Sequence, residues 1–160
     1  MKSPKNILVP IDMSVLSITA LQYAEDIAQH FEAEITIVFV SEIDDPQTKL
    51  RKSANDNDKA IKSALAHLLL DHNVVTQSLR IEVRHGSPAA EIVKASHDLH
   101  TDLIIMCTHG RSGLSHMLMG SVAEKVVRLA ACPVLTIKPD EFSELVNLTQ
   151  DDLADGLHLP

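Results

Sequence analysis

Five short apolar runs alternate along this chain with longer amphipathic stretches, and that alternation restricts the fold more than any other feature. The runs are Ile7–Val9, Ile35–Val40, Leu79–Val83, Leu103–Cys107 and Val134–Ile137. They are rich in β-branched residues, and most lack polar alternation, as expected of strands covered on both faces. Helical periodicity fills the intervals. Residues 15–30 carry a stripe of Ile18, Leu21, Ala24, Ala28 and Phe31, and residues 58–71 one of Ile61, Leu65, Leu68 and Leu69. Ser87-Pro88 opens a third helix with Ser as cap, its stripe being Ala89, Ile92, Val93, Ser96 and Leu99. Ser121-x-x-Glu124 reads as a capping box opening a fourth. The order β-α-β-α-β-α-β-α-β demands a parallel sheet with helices on both faces, because each crossover is right-handed and packs back on the sheet. The polar stretch Ser41–Asp58 is expected to be a mobile loop, with a frayed helix start as the alternative for its end.

At 160 residues the chain has the length of one domain, and it is 45% hydrophobic and 22% charged. Such a chain buries about two-thirds of its unfolded surface, so no disulfide or structural metal is expected. Aromatic residues are only Tyr23, Phe31, Phe39 and Phe142, so the core must be aliphatic. That scarcity argues against single-strand nucleic-acid binding by stacking, and a net charge of −8 argues against phosphate-backbone binding. The apolar run after the N-terminus is too short for a signal peptide, and no stretch is long enough to span a membrane, so a cytoplasmic location without membrane insertion is expected. Cys107 and Cys132 lie in apolar surroundings and read as buried, inert thiols. His97 and His100 are three apart, but no third metal ligand is fixed by spacing. Asn55–Asp58 lack calcium-loop spacing and read as solvated loop and helix cap.

In an open doubly wound sheet a ligand site lies beyond the carboxyl ends of the strands, where strand order reverses. Two strand ends carry suitable residues. The first is Val9-Pro10-Ile11-Asp12. The fourth is Met106-Cys107-Thr108-His109-Gly110, followed by Gly113 and then by Gly120-Ser121 at a helix start. Free N–H groups at such a start favour an anion. Spacing alone leaves two readings open, a phosphate-holding loop or plain turns. Neither a P-loop nor a dinucleotide fingerprint is present.

Over residues 4–138 the chain resembles the universal stress proteins. The resemblance rests on Asn6–Asp12, on Val83–Ala89, and above all on Thr108–Lys125 running into Cys132–Leu135. Nucleotide-binding members carry Gly, two residues, Gly, nine residues, then Gly with Ser or Thr. Gly110, Gly120 and Ser121 match, while Cys107 stands at the first glycine position. The resemblance implies a three-layer α/β/α, flavodoxin- or Rossmann-like fold with a five-stranded parallel sheet in the order 3-2-1-4-5. It implies ATP, with Mg as its companion ion, at the switch point between strands one and four. Asp12 would accept bonds from the ribose hydroxyls. Pro10, Ile11 and Val40 would line the adenine slot with Met106 nearby, and Gly110, Gly120, Ser121 and the amide of Val122 would hold the phosphates beside His109.

The leading expectation is therefore an adenine-nucleotide-binding stress-response sensor or adaptor. A slow ATPase or phosphotransfer enzyme is the rival, limited because Asp12 is the only carboxylate in the motif. A nucleotide-free dimeric stress protein is the third reading. A homodimer is expected through the apolar edge strand Pro133–Lys138, as the resemblance also implies; a further protein partner is left unnamed. The body, residues 1–138, carries 14 basic and 16 acidic groups, and the extension 139–160 carries six acidic groups and no Lys or Arg. Phe142, Leu145, Val146 and Leu148 form one spaced apolar set along that extension and Leu153, Leu157 and Leu159 a second, which leaves two readings open: a tail that docks by its apolar side or a disordered chain end.

Overall fold

The computed structural model describes residues 3–42, 54–72, 74, 79–108 and 119–138. The expectations for His109 and Gly110, for most of the Ser41–Asp58 stretch, and for the 139–160 extension lie outside the described residues.

Nine elements alternate among the described residues: β1 (Asn6–Pro10), α1 (Val15–Phe31), β2 (Glu34–Ser41), α2 (Ala54–Asp71), β3 (Leu79–His85), α3 (Pro88–Asp98), β4 (Leu103–Cys107), α4 (Ser121–Leu129) and β5 (Val134–Ile137). The strands form one fully parallel sheet in the order β3-β2-β1-β4-β5. The three-layer architecture expected from the sequence is therefore the one observed.

Side chains alternate across a strand, and the two core layers follow directly. Ile7, Val9, Ile35, Ile37, Ile105 and Cys107 pack with Ile18, Leu21 and Leu65, on the face covered by α1 and α2. Leu8, Val38, Ile104 and Met106 pack with Ala89, Ile92, Ala123 and Val126, on the face covered by α3 and α4. β1 is central and fully buried at Ile7, Leu8 and Val9. After β3 the chain crosses back over β2 and β1 to lay down β4 on the other side. The change of direction moves the helices to the opposite face, since each crossover keeps its right hand.

Helix ends explain the local departures from expectation. α1 stops because Glu32 turns left-handed, with φ 53°, and its N–H donates to the Ala28 carbonyl. Phe31 is thus the last helical residue and 37% exposed, not part of the buried stripe. α2 starts at Ala54, so Asn55–Asp58 are helical and not loop. Asp58 has a partner on the sheet: its Oδ1 lies 2.8 Å from His85 Nε2 at the end of β3. α4 starts with Gly120 as its cap and Ser121 as its first residue, so Ser121 and Glu124 do not form a capping box. His100 lies beyond α3 with a left-handed φ of 50°, and it shares no helical face with His97. Among the described residues no cluster of three His, Cys, Asp or Glu side chains is arranged to hold a metal, and no helix is long and apolar enough to cross a membrane.

α3 is placed by two features at its ends. Gly86, with φ +142°, makes the turn from β3, and a Cβ there would come within 3.3 Å of Glu91 Cγ. At the far end Arg84 bridges sheet and helix, with Nη1 2.7 Å from Asp98 Oδ2 and Nε 2.7 Å from Glu82 Oε1.

Because Leu8 is fully buried at the centre of the sheet, Leu8→Ala should cost about 3 kcal/mol. Leu70→Ala, on an exposed position of α2, should cost less than about 0.5 kcal/mol. Urea unfolding of the two variants checks the difference.

Candidate functional site: a cleft at the switch point

The reversal of strand order leaves a gap beside β1, because the connections after β1 and β4 leave in opposite directions. The gap is a cleft of about 540 Å³. Pro10, Ile11 and Asp12 at the end of β1 line it, with Val38, Phe39, Val40 and Glu42 from β2 and its end and Met106, Cys107 and Thr108 from β4 and its end. Ser87, Pro88, Ala89 and Ile92 enter from the start of α3, Gly120 to Ala123 and Lys125 from the start of α4, and Ser17 from α1. Nine of the sequence candidates therefore meet here: Pro10, Ile11, Asp12, Val40, Met106, Cys107, Gly120, Ser121 and Val122.

The Asp12 carboxylate is held by the start of α1. Met13 adopts a left-handed φ of 64° and folds the chain back. The Ser14 N–H then donates to Asp12 Oδ1 at 3.0 Å, and the Ser14 hydroxyl donates to the same oxygen. That hydroxyl also accepts from the Ser17 N–H at 3.2 Å, capping α1. One serine thus ties the direction of the carboxylate to the first turn of a helix, whose dipole favours a negative charge there.

The opposite end of the cleft is built on hydrogen bonds around Thr108. Its N–H donates to the Ile137 carbonyl at 3.0 Å, and its carbonyl accepts from the Gly120 N–H at 2.7 Å. Residues 108 and 120 are thereby joined, and α4 begins beside the tip of β4. Gly120 has an ordinary extended conformation, φ −70° and ψ 152°, so backbone strain does not demand glycine there. As a cap it brings no side chain to accept from the first turn. Ser87, capping α3, makes no side-chain cap bond either. Among the described helices that start at the cleft, α1 is closed by its own serine, while the cap residues of α3 and α4 supply no side-chain acceptor to the first turn.

Cys107 continues β4 without strain; the non-glycine residues with positive φ among those described are Met13, Glu32 and His100. Its thiol faces α1 and donates to the Leu16 carbonyl. Burial pushes its pKa up from the usual 9.0 to about 11; a hydrogen bond with the Ala20 backbone opposes this, and the nearby Asp12 charge adds to it. Cys132 is only half-buried, and burial raises its pKa as well.

Sequence reading missed Glu42, the start of α3 and Lys125 as cleft residues, and the role of Ser14. Ser14 was within reach, because a serine directly before the first residue of a helical pattern is a capping signal. Glu42 is a second carboxylate at the cleft where the motif shows one. It follows β2, two strands away from β4, and strands lie about 4.8 Å apart, so it stands on the side away from α4.

The family description "Universal stress protein family" matches residues 4–138. The chain belongs to the universal stress protein family. It is 33% identical over 144 residues to a universal stress protein of Methanocaldococcus jannaschii, covering 84% of this chain and 82% of that one. It is 31% identical over 153 residues to a putative universal stress protein of Staphylococcus epidermidis, covering 90% of each. Its fold is similar to that of the solved universal stress protein UspA from Lactobacillus plantarum, with a TM-score of 0.71, 27% identity, and 86% and 99% of the two chains covered. It is also similar to a universal stress protein crystallised in complex with cAMP, with a TM-score of 0.66, 21% identity, and 85% and 98% covered. Cys107, at the first glycine position of the nucleotide-binding pattern, is accommodated by pointing its sulfur at α1.

A buried thiol whose pKa stands near 11 should resist alkylation in the native protein at pH 8 and react after unfolding; peptide mass spectrometry reads Cys107 directly. The raised value also gives the sign of a pH effect. The stabilisation is fully present below pH 9 and is lost as pH rises through about 11, because the unfolded chain then binds fewer protons. Urea midpoints of the wild type should fall more steeply over that window than those of Cys107→Ala.

Proposed function

We propose that this universal stress protein binds an adenine nucleotide, ATP foremost, in the cleft and acts as a sensor or adaptor in the stress response. The observation that carries the reading is the pairing of two ends of one cleft: a carboxylate fixed by Ser14 at the tip of β1, and a helix start beyond β4 whose glycine cap brings no side-chain acceptor. A ribose offers two hydroxyl donors, and a carboxylate accepts both. Phosphates suit the start of α4, where N–H groups and the helix dipole favour an anion. Pro10, Ile11, Val40 and Met106 supply an apolar slot for the base between these ends, and His109 and Gly110 would complete the phosphate end. The solved cAMP complex of a protein with the same fold is in keeping with an adenine ligand.

Turnover is slow in this reading. Hydrolysis needs a group that orients water at the terminal phosphate. Asp12 is engaged with Ser14 and would be engaged with ribose, and Glu42 stands at the β2 side of the cleft.

The protein acts as a homodimer in the same proposal. β5 is an edge strand of the sheet, with Leu135 37% exposed on it. A second copy pairing along Pro133–Lys138 would satisfy that edge and cover the leucine.

Calorimetric titration tests the nucleotide reading. Asp12→Ala and Gly120→Val should each weaken ATP binding about tenfold or more, equivalent to about 1.4 kcal/mol. Unchanged affinity in both variants, with their melting temperatures retained, would refute it. Sedimentation at micromolar concentration should give twice the 17.5 kDa chain mass; a species at the chain mass would count against the dimer.

A further inference from the structure

The charges lining the cleft are separated by sign. Asp12 and Glu42 stand at the ends of β1 and β2, and among the described lining residues Lys125 of α4 is the only Lys or Arg. The two signs are set apart by the sheet itself, because β1 and β2 lie to one side of β4 and α4 begins at its tip.

Lys125 makes no ion pair with any described residue. The acidic residue of α4, Glu124, sits one position away and so does not face it; its carboxylate is 4.0 Å from Arg128 instead. At helical spacing the neighbours of Lys125 are Ser121, Val122, Arg128 and Leu129, none of them an acid. Helical side chains lean toward the N-terminus, so the exposed side chain of Lys125 leads back toward the turn that holds Ser121. A cation is disfavoured there, because that helix end is itself positive. Two positive features thus converge at one end of a cleft whose other end holds carboxylates. An anionic ligand group at that end would relieve both.

We propose that Lys125 reads the phosphate chain of the ligand, so that the cleft selects nucleoside di- and triphosphates over adenosine and over a cyclic monophosphate. The inference rests on the nucleotide reading of the cleft and adds a specificity to it. First-turn N–H groups hold the nearest phosphate in fixed geometry. Lys125, on a flexible stem one turn further on, answers charge more than shape, as an ammonium does. Its contribution therefore grows with the number of phosphates and falls with salt.

Titration of the full chain with adenosine, cAMP, AMP, ADP and ATP, at low and at moderate salt, tests this. Wild-type affinity should rise from adenosine to ATP. Lys125→Gln should weaken ATP binding about tenfold, the loss of one charge-assisted contact, and leave adenosine binding unchanged within about twofold. The salt dependence of ATP binding should flatten in Lys125→Gln and return in Lys125→Arg. Equal weakening of adenosine and ATP would overturn the proposal by showing a general structural role, and so would unchanged ATP binding in Lys125→Gln. In that last case wild-type ATP binding leaves the nucleotide reading standing. A wild type that binds neither adenosine nor ATP overturns both.

Discussion

The burial of β1 on both faces is the constraint on which the rest depends. Ile7 and Val9 pack toward α1 and α2, and Leu8 toward α3 and α4, so this strand needs a helical layer on each side and a paired strand along each edge. Parallel strands can only be supplied through crossovers, and crossovers keep one hand. To give β1 two neighbours and two covered faces, the chain must run outward through β2 and β3 and then return past β1 to start β4. The cleft is the by-product of that return. It is placed by the requirement to bury three aliphatic residues, and its chemistry is added by the residues at the strand tips.

The energetics of the site are mostly those of helix ends. α1 closes its own N-terminus with Ser14, and the same hydroxyl fixes Asp12. α4 has a glycine cap that brings no acceptor, and the backbone bonds through Thr108 hold that end at the tip of β4. Closing a helix with its own side chain contributes about 1 kcal/mol of stability. A glycine cap in its place is only a few tenths of a kcal/mol worse, by the rough scale for caps, and leaves first-turn N–H groups for an external anion. The cleft thus contrasts a self-satisfied end with a receptive one, and the distribution of Asp12, Glu42 and Lys125 follows the same polarity.

Cys107 shows how a departure from a family pattern is absorbed. Its position calls for glycine in the nucleotide-binding pattern, yet the backbone there is ordinary strand. Strand alternation turns the side chain toward α1, where the thiol donates to the Leu16 carbonyl. A small, weakly polar group is one of the few that can occupy such a place, since a larger one would press on the first turns of α1 and thereby on the serine that holds Asp12.

Much of this was legible in the sequence because it is local. Short continuous β-branched runs and 3.6-residue apolar patterns identify the five strands and four helices, and the strand-tip sequences Pro10-Ile11-Asp12 and Gly120-Ser121-Val122 mark where a ligand would sit. Helix ends were less legible. Phe31 falls out of the stripe because Glu32 ends α1 in a left-handed turn, and Asn55–Asp58 are helical in a stretch whose composition reads as loop, with Asp58 meeting His85 on a strand distant in sequence. The chain by itself determined the fold class, the order of elements and the two strand tips, since these depend on neighbours along the backbone. Only the tertiary structure decided that Cys107 faces α1, that Glu42 and Lys125 line the same cleft as Asp12, and that the start of α4 is tied to the tip of β4. Those facts arise from contacts between elements far apart in the chain, which no local pattern encodes.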